Sequence, residues 1–128
     1  MNLTVSQKEC RQFAESKLIS IGAHTVSHPS LASLDRKQQE REIKFSVELL
    51  SKIIGDKVTL FSYPFGNPIT DFNEETIEIC RQCGILKAAS TENALWDSST
   101  DIYRIPRKIV RDWDLTEYDR QIKEYWKG

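Results

Sequence analysis

The chain has 128 residues, 39% hydrophobic and 29% charged, with 18 Lys and Arg against 19 Asp and Glu for a net charge of −1. That length suits a single domain over residues 1–128 and is too short for two independent cores. The balanced charge gives no broad attraction to nucleic acid or an anionic membrane, and no apolar run approaches the roughly 18 to 20 residues needed to span a bilayer, so partners must be argued from sites.

The opening MNLTVSQKECRQ lacks a basic segment followed by an apolar core, does not read as a secretory signal, and leads us to expect a cytoplasmic protein. The cysteines, Cys10, Cys80 and Cys83, are odd in number, and the last two sit three apart in a helical pattern where a mutual disulfide fits poorly. Reduced thiols are expected. In SQKECRQFAESK, from Ser6 to Lys17, Cys10, Phe13 and Ala14 recur at helical intervals, and Ser6 with Glu9 forms a capping box. LISIGAH then predicts a buried strand from Leu18 to Ala23. The following HTVSHPSLASL reads as a loop, because Pro29 disfavours helical geometry at His28.

Asp35 caps the longest predicted helix, Arg36 to Ile54, whose Ile43, Val47, Leu50 and Ile54 form one stripe and which Gly55 stops. VTLFSYP is a second strand, ending at Pro64 in the turn-rich PFGNPITDFN. A helix from Glu74 to Cys83 closes at Gly84, ILKAAS is a third strand, RIPRKIV a fourth, and LTEYDRQIKEYWK the last helix. The alternation predicts an α/β fold of βαβ units about a mostly parallel sheet, in which reactive groups gather at the carboxyl ends of strands. AHTVSH and YPFG both lie at such ends, so they are expected to face a shared site.

His24 and His28, the only histidines in the chain, are spaced so that both can turn imidazole nitrogens toward one ion of the zinc, iron, cobalt or nickel kind. Spacing alone fits a pair of ordinary hydrogen-bonded loop histidines equally well. The string IGAHTVSHPSL, however, resembles the H-[ST]-x-x-H signature of the polysaccharide deacetylase family, the carbohydrate esterases of the NodB-homology type. FSYPFG resembles the third signature of that family in its exopolysaccharide-linked variant, and YRIPRKIV resembles the later R-[LI]-P-R strand of the same variant. Order and spacing agree from about Ser6 to Val110.

The resemblance implies a partial, irregular (β/α) barrel and metal-assisted removal of N-acetyl groups from sugars in chitin-like, peptidoglycan or exopolysaccharide chains, with a carbohydrate as partner. It implies a divalent metal cofactor, expected to be zinc, held by His24 and His28. The backbone at Phe65 would help hold the oxyanion of the transition state. Tyr63, Pro64 and Gly66 would shape the substrate groove. Family members are often exported or attached to the cell envelope.

Departures from the family pattern accompany these matches. The T-F-D-D-G-type strand that carries the family's catalytic base and third metal ligand has no counterpart here, Ser62 stands where many members have arginine, and no later histidine can act as the family's catalytic acid. An incomplete, weakly binding metal site and impaired catalysis by this chain alone are therefore expected. Asp71, Asp112 and Asp114 lie at strand ends of the right polarity, although loop aspartates are usually solvated. A catalytically inactive relic that binds carbohydrate or protein is the alternative function.

A zinc module built from Cys80, Cys83, His24 and His28 is a formal competitor, set against simple packing of the two thiols. Trp96 and Trp113, in loops, are candidates to stack on sugar rings, whereas Trp126 is expected in the core. Arg104, Arg107, Lys108 and Arg111 read as solvated strand-edge charge. Finally, a strand at LISIGAH without a neighbour on one side would leave an open sheet edge, for which a homo-oligomer by self-association, an element exchanged between two copies, or an N-terminal segment folding back as cover is expected.

Overall fold

The computed structural model describes residues 4–16 and 18–125. Its helices begin where local side chains satisfy the free N–H groups of a first turn. Helix α1, Gln7–Glu15, starts from the expected reciprocal box of Ser6 and Glu9. Helix α2, Arg36–Ile54, starts from Asp35 boxed with Gln38 and ends at Gly55, whose φ of 75° is the left-handed conformation that glycine adopts without a Cβ penalty. Helix α3, Glu74–Gln82, starts from Asn73 boxed with Thr76, and α4 covers Leu115–Tyr125. Lys17 and Trp126, named in the sequence reading, lie outside the described residues.

The sheet is narrower than the sequence pattern predicts. Strand β1, Leu60–Ser62, pairs in parallel with β2, Lys87–Ala89, in the register Leu60 to Lys87. Single parallel bridges extend it on both sides, Ala23 to Phe61 and Ala89 to Ile105. The four segments thus lie in the order Ala23, β1, β2, Ile105, joined successively by α2, α3 and the loop after β2. This is an α/β arrangement, as expected. Two predicted strands shrink to one bridging residue each: in 18–23 only Ala23 is held, donating to the Leu60 carbonyl (2.8 Å) and accepting from the Ser62 N–H (3.0 Å). Leu18 is 96% exposed, and among the described residues no strand pairs with 18–22, so the run makes no ladder.

One core lies between the sheet and helices α2 and α3. Ile43 and Val47 of the predicted stripe are buried in it, with Leu50 and Ile54 packed at its margin. At its centre the Tyr63 and Phe72 rings stack at 3.8 Å, and Phe61 meets Tyr63 edge to face. Helix α1 buries no residue in that core, and Phe13 is 44% exposed. It is tied to α2 by the Arg11 guanidinium donating to the Ile53 carbonyl (2.8 Å).

Candidate active site

The Ala23 bridge delivers His24 to the carboxyl end of the sheet, beside the end of β1. There His24 Nδ1 lies 2.7 Å from the Ser62 carbonyl oxygen and 2.9 Å from Ser62 Oγ. A carbonyl can only accept, so Nδ1 carries the proton and Nε2 keeps its lone pair for a ligand. The side chain that departs from the family's arginine thus stands behind the first histidine.

The loop after His24 turns sharply. Thr25 and His28 have φ values of 64° and 59°, uncommon for residues with a Cβ. Two sets of hydrogen bonds hold that conformation: the His28 N–H donates to Thr25 Oγ1 (3.1 Å), and the Val26 and Ser27 N–H groups both donate to Glu42 Oε2 at 2.9 Å. Ser27 Oγ adds a bond to Glu42 Oε1 (2.8 Å). Burial alone would raise the Glu42 pKa, but the bonds from Ser27 and Val26 outweigh it and hold the carboxyl below its ordinary value.

The result is convergence. The His24 and His28 rings lie 4.8 Å apart at 70°, and His28 lies 4.8 Å from the Phe65 ring at 76°. Both histidines therefore face one place beside the YPFG turn. Phe65 is the third non-glycine residue with positive φ (59°), so all three such residues among those described belong to these two loops. Its N–H makes no hydrogen bond among the described residues, while its carbonyl accepts from Thr91 Oγ1 (2.7 Å). A free amide on a turn fixed from behind is a preorganised donor for a developing negative charge.

The other residues of the YPFG turn lie beneath the surface. The Tyr63 side chain is fully buried and Pro64 is buried too. Tyr63 donates to the Tyr103 carbonyl (2.9 Å), and burial pushes its pKa well up. Gly66, at φ 75°, is pressed against the chain: a Cβ there would stand 3.0 Å from both the Thr91 N and its methyl carbon. Only Phe65, 59% exposed, presents its side chain outward.

The remaining candidates fall elsewhere. Asp71 accepts from Ser30 Oγ (3.2 Å) and from the Asn67 N–H (2.9 Å), tying a turn together, and Asp114 caps α4 by accepting from the Glu117 N–H (2.8 Å). No group of three or more His, Cys, Asp or Glu side chains could hold a metal among the described residues. That removes the Cys80, Cys83, His24, His28 module, since Cys80 is buried in the core. It also defines the fit of a divalent ion: two imidazole donors are in place, and the described residues supply no anionic third. Arg104 pairs with Glu74, Arg107 donates to the Ser90 carbonyl (2.7 Å), and Lys108 sits 4.4 Å over the Tyr125 ring, so these charges are used internally. Trp96 is half exposed in its loop, and Trp113 is half-buried beside Thr91 and Arg107.

The sequence profile of the polysaccharide deacetylase family matches residues 2–88, more than half of the chain. The chain belongs to that family. A related polysaccharide deacetylase-family protein, YxkH of Bacillus subtilis, is 27% identical over 106 residues, covering 83% of this chain and 36% of its own length. Among solved structures, the de-N-acetylase of Aggregatibacter actinomycetemcomitans superposes with a TM-score of 0.75 at 16% identity, over 93% of this chain and 53% of that one. The Streptococcus pyogenes deacetylase PplD, solved with acetate, gives 0.70 at 22% identity, over 80% and 45%. At such identities the structural likeness establishes the shared fold. The chain spans about a third of the length of YxkH and about half that of these two solved structures. Glu42, which fixes the histidine loop from behind, escaped the sequence reading because it belongs to no histidine motif, and Ser62 was singled out only as a departure from the family pattern, not as the partner of His24.

Proposed function

We propose that this chain provides the histidine and YPFG portion of a metal-dependent N-deacetylase site that acts on an N-acetylated sugar polymer, within a partial (β/α) barrel. The observation that carries the reading is the convergence of His24 and His28 beside the unpartnered Phe65 N–H. When bound, a divalent ion, zinc above all, would polarise the amide carbonyl and activate water. His24, fixed by Ser62, would present Nε2 to it, and His28 would approach from the facing side of the loop. The Phe65 N–H would receive the oxyanion, and Tyr63, Pro64 and Gly66 would hold the turn that aims it.

Two neutral imidazoles without an anionic oxygen bind weakly, so the chain alone should take up zinc poorly and release little acetate. The test is zinc titration of the chain, of His24→Ala and of His28→Ala, beside acetate release from acetylated oligosaccharides. Release is measured both for the chain and for a version extended upstream with an aspartate-bearing strand. Each alanine variant should abolish the weak binding, and the extended version alone should turn over. Zinc binding that survives loss of both histidines would overturn the reading, and tight stoichiometric binding by the chain would overturn the incomplete site.

A further inference from the structure

Glu42 lies on the second turn of α2, outside both the histidine segment and the YPFG turn, yet its carboxylate is occupied entirely by the histidine loop. Both oxygens are used: Oε2 accepts two consecutive backbone N–H groups, Val26 and Ser27, and Oε1 accepts the Ser27 hydroxyl. Those two N–H groups lie between Thr25 and His28, the two residues held at positive φ. Aiming two successive amides at one oxygen requires the chain to curl, and the curl returns His28 to within 4.8 Å of His24 four residues after leaving it. Among the described residues, no other α2 side chain hydrogen-bonds the segment 24–28.

From this we infer that Glu42 is the positioning residue of the site, a carboxylate on a rigid helix that curls the loop and so sets the approach of His28 to His24. The inference rests on the proposed metal-binding role of the two histidines for its functional meaning. Its geometric content stands without a metal. Charge-assisted bonds to backbone amides are the strong kind, and groups that orient metal ligands from behind typically change metal affinity roughly 10- to 100-fold when removed. Glutamine can reproduce the clamp, because one amide oxygen can accept both N–H groups while the Ser27 hydroxyl turns to accept from the amide nitrogen.

The experiment uses the full chain, Glu42→Ala and Glu42→Gln, each observed by NMR first without metal and then during zinc titration. Without metal, contacts between the His24, His28 and Phe65 rings should be present in the parent chain, lost in Glu42→Ala and retained in Glu42→Gln. With zinc, the histidine ring resonances should shift in the parent chain, need about tenfold or more zinc in Glu42→Ala, and behave nearly as the parent in Glu42→Gln. Preserved ring contacts in Glu42→Ala, with the rest of the spectrum unchanged, would overturn the positioning role. Loss of the contacts in both variants would do the same by removing the rescue. Histidine resonances that ignore zinc in the parent chain would instead overturn the metal-binding reading and leave the geometric result to decide the role of Glu42.

Discussion

Cys80 illustrates how environment, rather than residue type, decides what a side chain does here. It lies fully buried in the core, and burial pushes its thiol from 9.0 up to about 12. The folded state therefore favours the neutral thiol, whose contribution to stability is complete below about pH 9 and is lost as pH rises toward about 12. At about pH 8 a thiol reagent should label Cys10 readily and reach Cys80 only as fast as the core opens. Prompt labelling of Cys80 in the native chain, followed by mass spectrometry, would contradict that burial. His24 and His28 were legible as a pair because their types and spacing are local facts. Glu42 and Ser62 were not, since their contacts with the histidine segment cross 15 and 38 residues of sequence.

At the scale of elements, the helices were readable and two of the four strands were, since β1 and β2 fall within VTLFSYP and ILKAAS. A capping box is written within four residues, as at Ser6 with Glu9 and Asp35 with the glycine-terminated helix that follows, so the ends of α1 and α2 fall where expected. A strand depends on what lies beside it, so 18–23 and the RIPRKIV segment contribute only Ala23 and Ile105. Helices α2 and α3 are joined by one buried polar link that no local pattern announces. Thr76 Oγ1 donates to Gln39 Oε1 at 2.6 Å, while Gln39 Nε2 donates to the Leu34 carbonyl at 3.1 Å. Replacing Thr76 with valine keeps the shape and leaves the Gln39 oxygen buried without its donor, which should cost about 1–3 kcal/mol. Chemical denaturation of Thr76→Val checks this, and an unchanged midpoint would mean that the link contributes little.

For the molecule as a whole, the unpaired stretch ahead of Ala23 bears on assembly. The Ile19 and Ile21 N–H groups make no hydrogen bonds among the described residues, and a hollow of about 530 Å³ opens beside them, lined by Arg11, Ile54 and Leu60 among others. An apolar edge of this kind recruits a strand, so self-association or cover by a further segment is expected. Sedimentation over a wide concentration range should show mass rising with concentration, with slowed hydrogen exchange at Ile19 and Ile21 in the larger species. A strictly monomeric chain with both amides unprotected would show that the edge is tolerated. The clamp on the histidine loop has a kinetic corollary. Since α2 must already be docked before Glu42 can meet Val26 and Ser27, and β1 must be in place before Ser62 can meet His24, the two rings come together only after these long loops have closed. The pairing of the two rings is therefore expected late in folding, after the sheet and α2 have come together.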